Sequence, residues 1–209
     1  MSEQISFKSR VQNTAISYAS QYEALFVNKS YLLISDAFIK RPYYILEAEA
    51  TNFLHLIGVS TNLSASDFYN KCLAGSLTKS DFDISFHGKD PKQSKGSIRQ
   101  KILTLPELFN ILSAESYVEE DFTKNVVRCS FASSNGKCTV GFVSTPLARP
   151  MTLLRGDELD YSKAKPLKIV LSKERKEEKF SQILIGSKSD ISKEIVQIKE
   201  LIEPSLLDE

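Results

Sequence analysis

Histidine, cysteine and net charge are all scarce in this chain, and each shortage closes off a class of function. Only two histidines, His55 and His87, are available for acid–base work. Three cysteines, Cys72, Cys129 and Cys138, form an odd set without metal-ligand spacing, which reads as reduced, mostly buried thiols in a cytosolic protein rather than a disulfide framework or a zinc site. A Cys129–Cys138 bridge across a hairpin is conceivable and less expected. A formal charge of +1 over 209 residues gives no whole-molecule field to attract nucleic acid, so any polyanion site must be a local patch. No apolar run approaches a membrane span; Phe53-Leu54-His55-Leu56-Ile57 is far too short. The start, Met1-Ser2-Glu3-Gln4, lacks the basic and apolar regions of a secretion signal. The expectation is a cytoplasmic protein without membrane contact.

An apolar share of 42% and a charged share of 25% are those of a globular chain with one sizeable core. Phe7, Val11, Ala15, Tyr18, Tyr22 and Leu25 recur at helical spacing. Tyr31–Ile34 and Pro42–Glu47 read as strands. Residues 48–59 read as a helix stopping near Gly58, and Ser64 with Asp67 as the capping box of another. His87 to Gly96 reads as an exposed loop, and Ile98, Ile102, Leu105, Phe109 and Leu112 as a following stripe, divided into two helices near Pro106. Val126–Phe131 and Cys138–Val143 flank Asn135-Gly136, a hairpin signal because both turn residues tolerate positive φ. Strands are expected at Met151–Leu154, Leu167–Leu171 and Ile183–Ile185. Ile191, Ile195, Ile198 and Ile202 mark a C-terminal helix over about 189–203. Helices early and strands late give an α+β fold, with N-terminal helices packed on an antiparallel sheet, in a single domain over 1–209.

Imidazole titrates near neutrality, which makes His55 the natural candidate for proton transfer. If residues 51–58 are helical, Thr51 and Asn52 lie one turn back from it. On the residues alone, the commoner alternative is a core histidine that donates to a backbone carbonyl. His87 sits beside the loop, where a polar surface role is the commoner reading. The densest basic cluster is Lys89, Lys92, Lys95, Arg99 and Lys101, a candidate RNA-binding patch whose contacts would be salt-dependent. It lacks the glycine spacing of a nucleoside-triphosphate loop. Arg128, on an expected strand, could clamp phosphate oxygens. No paired acidic pattern suits a two-metal nuclease; no metal and no cofactor is expected.

Asn52-Phe53-Leu54-His55-Leu56-Ile57-Gly58-Val59, Asp67-Phe68-Tyr69-Asn70-Lys71-Cys72-Leu73, Leu77-Thr78 with Asp81-Phe82, and Pro150-Met151-Thr152-Leu153-Leu154-Arg155-Gly156 resemble the motifs of a phage-associated family of predicted nucleases in the barnase, EndoU, colicin-ribonuclease and RelE-like group. The resemblance covers about residues 22–185. It implies a barnase/EndoU/RelE-like α+β nuclease core and endoribonuclease activity, in a family whose related domains act as toxins or effectors. It carries His55 over as catalytic, with Lys71 and Arg128 as accompanying candidates. The expected reaction is metal-independent RNA cleavage by 2′-hydroxyl transesterification, with RNA, tRNA included, as substrate and an immunity or host protein as a further candidate partner. The alternative is a non-catalytic phage or mobile-element protein that binds and inhibits a host protein.

Overall fold

The computed structural model describes residues 5–85 and 90–207. Strand β1 (Lys29–Ile34) shows why the architecture has three layers. Its alternate side chains Tyr31 and Leu33 join one apolar core while Leu32 and Ile34 join another, so it is covered on both faces. Around it a nine-stranded sheet runs in the order β11 (Gln182–Ile185), β10 (Ile169–Glu174), β1, β2 (Tyr44–Leu46), β8 (Ala148–Arg155), β7 (Cys138–Ser144), β6 (Phe131–Ser134), β3 (Tyr117–Glu120) and β9 (Lys165–Pro166). All neighbours are antiparallel except β2 and β8, which meet in parallel at Leu46 and Ala148. The Asn135-Gly136 turn joins β6 to β7 as expected: Gly136 has φ 82°, and Asn135 Oδ1 accepts from the N–H groups of Lys137 and Cys138.

Four helices cover the larger core. Helix α1 (Phe7–Tyr22) buries Phe7, Val11, Ala15, Ala19 and Tyr22, then continues as a π-helical turn over Glu23–Val27. Helix α2 (Asn52–Ile57) packs against α1, against α3 (Ala65–Leu73) and on β8. Ser64 caps α3 by accepting from the Asp67 N–H, and its hydroxyl also bonds the Asp67 carboxylate. Helix α4 (Pro91–Leu108) lies across α1, α2 and β8.

Three expected elements take a different form. Within the expected 87–96 loop, residues 91–96 instead form the first turn and a half of α4. Asp90 caps that helix by accepting from Lys92 N–H, and Pro91 stands at its first position, where the missing N–H costs nothing. The helix then runs unbroken past Pro106, which falls in the last turn, and Thr104 is buried instead of capping. The expected strand 126–131 is cut in two. β4 (Thr123–Lys124) and β5 (Val127–Arg128) form a separate ribbon, turned by left-handed backbone at Asn125, before the chain enters the sheet at Phe131.

The C-terminal stripe is apolar as expected, but the rod is not one helix. It breaks into α5 (Lys188–Lys193), α6 (Ile195–Ile198) and short 3-10 turns, because Ile202 becomes extended and bridges to Phe180. Ile191, Ile198 and Ile202 still fill the second face of the sheet. Cys72, Cys129 and Cys138 are buried and unbridged. Burial pushes the thiols of Cys72 and Cys138 up to about 12 and that of Cys129 to about 11. No described helix is long and apolar enough to cross a membrane.

Candidate active site: the His55 groove

Helix α2 is only six residues long, so it cannot stand alone in water and is held by burial of Phe53, Leu56 and Ile57, each 0% exposed. Those three occupy its inner face and leave His55 on the outside, exposed. Its imidazole makes no hydrogen bond among the described residues, so the core-histidine alternative does not hold. The helix stops at Gly58, whose φ of 74° is the left-handed conformation that glycine adopts without strain.

Gly58 also allows a close approach. A Cβ there would lie 2.5 Å from Lys101 Cδ, so glycine leaves the passage through which the Lys101 stem reaches α2. Lys101 Nζ donates to the carbonyl oxygen of His55. A cation at a helix C-terminus meets orphan carbonyls and the negative end of the helix dipole. The interaction ties α4 to the segment that carries the imidazole.

Between the end of α2 and the first half of α4 lies a groove of about 710 Å³. His55, Gly58, Ser60 and Thr61 line it from one side; Gln93, Ser94, Ser97 and Lys101 line it from the other. Positions 94, 97 and 101 fall at helical spacing on one stripe of α4. The Ser60 wall is fixed by a two-way backbone bridge to Asp83. The Thr61 hydroxyl donates to the Asp81 carbonyl. Among the described residues, the lining contains an imidazole, an ammonium, hydroxyls and an amide, but no carboxylate.

Ser94 is the unusual member. It is 2% exposed, yet its Oγ has no hydrogen-bond partner among the described residues. A serine inside a helix commonly bonds back to the carbonyl four residues earlier. A buried hydroxyl left unpaired costs about 1–3 kcal/mol. Ser94 belongs to the groove lining, and its Oγ, shielded from solvent in the free chain, would meet a bound molecule only after a small shift of that lining.

The remaining sequence candidates are dispersed. Lys71, on α3, pairs with Asp81 at 2.7 Å and does not line the groove. The Lys71 ammonium, with the Thr78 hydroxyl and N–H, holds the Asp81 carboxyl down at about 2. Arg128 is exposed on the separate ribbon, also outside the groove lining. Lys92 is exposed at the start of α4. Lys95 and Arg99 turn to the opposite flank of α4, over Phe7, so the basic cluster is not one patch. His87 and Lys89 lie outside the described residues. Among the described residues, no three His, Cys, Asp or Glu side chains are placed to hold a metal ion.

The fold and groove define an α+β protein with a solvent-facing histidine beside a lysine-tethered polar cleft. The sequence model of the phage-Barnase-EndoU-ColicinE5/D-RelE like nuclease4 family matches residues 17–188. The chain belongs to that nuclease family, whose substrates are nucleic acids. No curated protein and no solved structure matches it.

Proposed function

We propose that the chain is an endoribonuclease that cleaves single-stranded RNA in the groove beside His55 without a metal ion. The observation that carries this reading is an exposed imidazole on the rim of a polar cleft that also contains Lys101. His55 takes the proton of a ribose 2′-hydroxyl as that oxygen attacks the adjacent phosphorus. The bond from phosphorus to the 5′-oxygen breaks, the departing oxygen takes a proton from water, and a 2′,3′-cyclic phosphate remains. Lys101 offsets the charge gathering on the phosphoryl oxygens. It takes this role in preference to Lys71 and Arg128, neither of which lines the groove. DNA lacks the nucleophile and should not be cut.

Incubating the chain with labelled single-stranded RNA and tRNA in the presence of a chelator should yield products ending in cyclic phosphate, with matched DNA intact. Cleavage abolished by the chelator, or equal cleavage of DNA, contradicts the mechanism. Binding without turnover would leave instead a non-catalytic member of the family.

Ser94→Ala separates binding from folding. Because the hydroxyl has no partner among the described residues, its removal should leave thermal stability unchanged or raise it by up to about 1 kcal/mol. A hydroxyl that serves substrate should be missed at the level of KM, by about five- to tenfold, the worth of about 1 kcal/mol of hydrogen bond. Steady-state cleavage kinetics and a melting curve give both numbers; unaltered KM with lowered stability assigns Ser94 to the fold alone.

A further inference from the structure

On the flank of α4 facing away from the groove, three cations gather on one ring. Phe7 opens α1, and Arg10 Cζ, Lys95 Nζ and Arg99 Cζ lie 5.4, 5.3 and 5.6 Å from its centroid. All three residues are exposed. Each contact with the ring is weakly favourable at such an exposed site, while the like charges repel one another. Among the described residues no carboxylate forms an ion pair with any of the three. Lys8, next to Phe7 in the chain, is by contrast paired with Asp83. A cluster assembled on an aromatic ring and left uncompensated is arranged to receive an anion.

Beside the cluster, α1 and α4 enclose a cavity of about 260 Å³. Ile5, Ile102 and Leu103 give it apolar walls, and Arg10 and Arg99 stand among its lining. Ile5 and Leu103 are each 60% exposed, so both present apolar surface to water at the cavity. Flat guanidinium groups beside an apolar slot suit an unstacked base, which makes use of both surfaces at once.

We propose that this cavity is a second RNA contact that takes one unpaired nucleotide. Its phosphate sits against Arg10, Lys95 and Arg99, and its base enters the slot between Ile5, Ile102 and Leu103. The inference rests on the nucleic-acid reading of the His55 groove, though not on cleavage there. Both sites are on α4, and a helix with its side chains is about 10–12 Å across. A strand leaving the groove past Ser97 therefore reaches Lys95 and Arg99 by crossing a single helix. Arg10 brings α1 into the interface, a residue outside the basic run of α4.

The test uses the full chain and a short fluorescent single-stranded RNA that is 2′-O-methylated throughout, so it cannot be cut. R10Q/R99Q should weaken binding at least about tenfold and flatten the slope of log affinity against log salt by up to about 0.7, the share of one phosphate on a single strand. R10K/R99K should recover the slope but not the full affinity, since ammonium keeps charge and loses planar stacking. Affinity and slope unchanged in R10Q/R99Q overturn the proposal. So does a variant that keeps RNA binding but no longer binds vesicles of phosphatidylglycerol and phosphatidylcholine, which would assign the patch to a lipid surface. Arginine-dependent binding by a chain that cuts no natural RNA sustains this site and removes only the His55 mechanism. Cleavage with arginine-independent binding does the reverse.

Discussion

Replacing His55 with alanine is expected to lower RNA cleavage by about a hundred- to ten-thousandfold, the usual contribution of a positioned acid or base. In barrier terms that is about 2.7–5.5 kcal/mol. The loss should fall on kcat, because a group that moves a proton in the transition state adds little to ground-state binding. Folding should scarcely register the change. His55 is exposed, its imidazole makes no hydrogen bond among the described residues, and the tether from Lys101 ends on its backbone oxygen, which alanine retains. Exposed substitutions of this kind shift stability by about 0.5 kcal/mol or less. The measurement is single-turnover cleavage beside a melting curve. Wild-type cleavage by the alanine variant would remove His55 from the chemistry.

A second comparison sharpens the first. His55→Asn keeps a hydrogen-bonding side chain of similar reach but cannot exchange a proton near neutrality. If proton transfer is the role, asparagine should be as inactive as alanine. If His55 only positions RNA, asparagine should recover a large part of the rate. The distinction matters because Gln93, Ser94 and Ser97 face the same groove from α4, and positioning could come from several of them. Lys101→Met provides the complementary case: it removes charge beside the groove and also the tether between α4 and the end of α2. Its loss of rate should therefore exceed what charge alone supplies.

What the sequence revealed and what it hid follow from how local each cause is. The end of α2 at Gly58, the Ser64 cap and the Asn135-Gly136 turn are each written within about five residues, and the structure has them where their residues place them. The start of α4 is also local but ambiguous: Asp90-Pro91 punctuates a loop or opens a helix, and only packing of Ile98, Ile102 and Leu105 decides. Reading it as loop hid the stripe of Ser94, Ser97 and Lys101, since three polar residues at spacings of three and four mean nothing until the helix is placed. Lys71 and Arg128 failed to join the groove for a different reason. Their positions depend on the Lys71–Asp81 pair and on a ribbon that leaves the main sheet, neither of which has a periodic signature. Arg10 was invisible because its partners at positions 95 and 99 are distant along the chain. The α+β class was legible, whereas the parallel β2–β8 junction that joins the two antiparallel parts of the sheet was not.

Phe53→Ala should be the most damaging substitution outside the groove, and its effect on activity should exceed its effect on the folded fraction. Phe53 is 0% exposed and its ring lies 5.0 Å from that of Tyr22 on α1 and 5.6 Å from that of Tyr69 on α3. Truncating a buried phenylalanine costs about 3–5 kcal/mol through lost transfer energy and the cavity left behind. For a chain of this length that corresponds to a melting temperature lower by about 6–20 °C. The loss concentrates on α2, because a two-turn helix has little stability of its own and Phe53 is its largest anchor. At temperatures where the variant remains folded, α2 should open locally more often. His55 would then spend less time in the geometry that cleavage requires, and kcat should drop by about tenfold or more while single-stranded RNA binding through Arg10 and Arg99 persists. Hydrogen exchange should report the loosening as faster exchange at Leu56 and Ile57, with β1 and β10 still protected. A variant that melts early yet cuts RNA at the wild-type rate when folded would show that the placement of α2 does not govern the reaction.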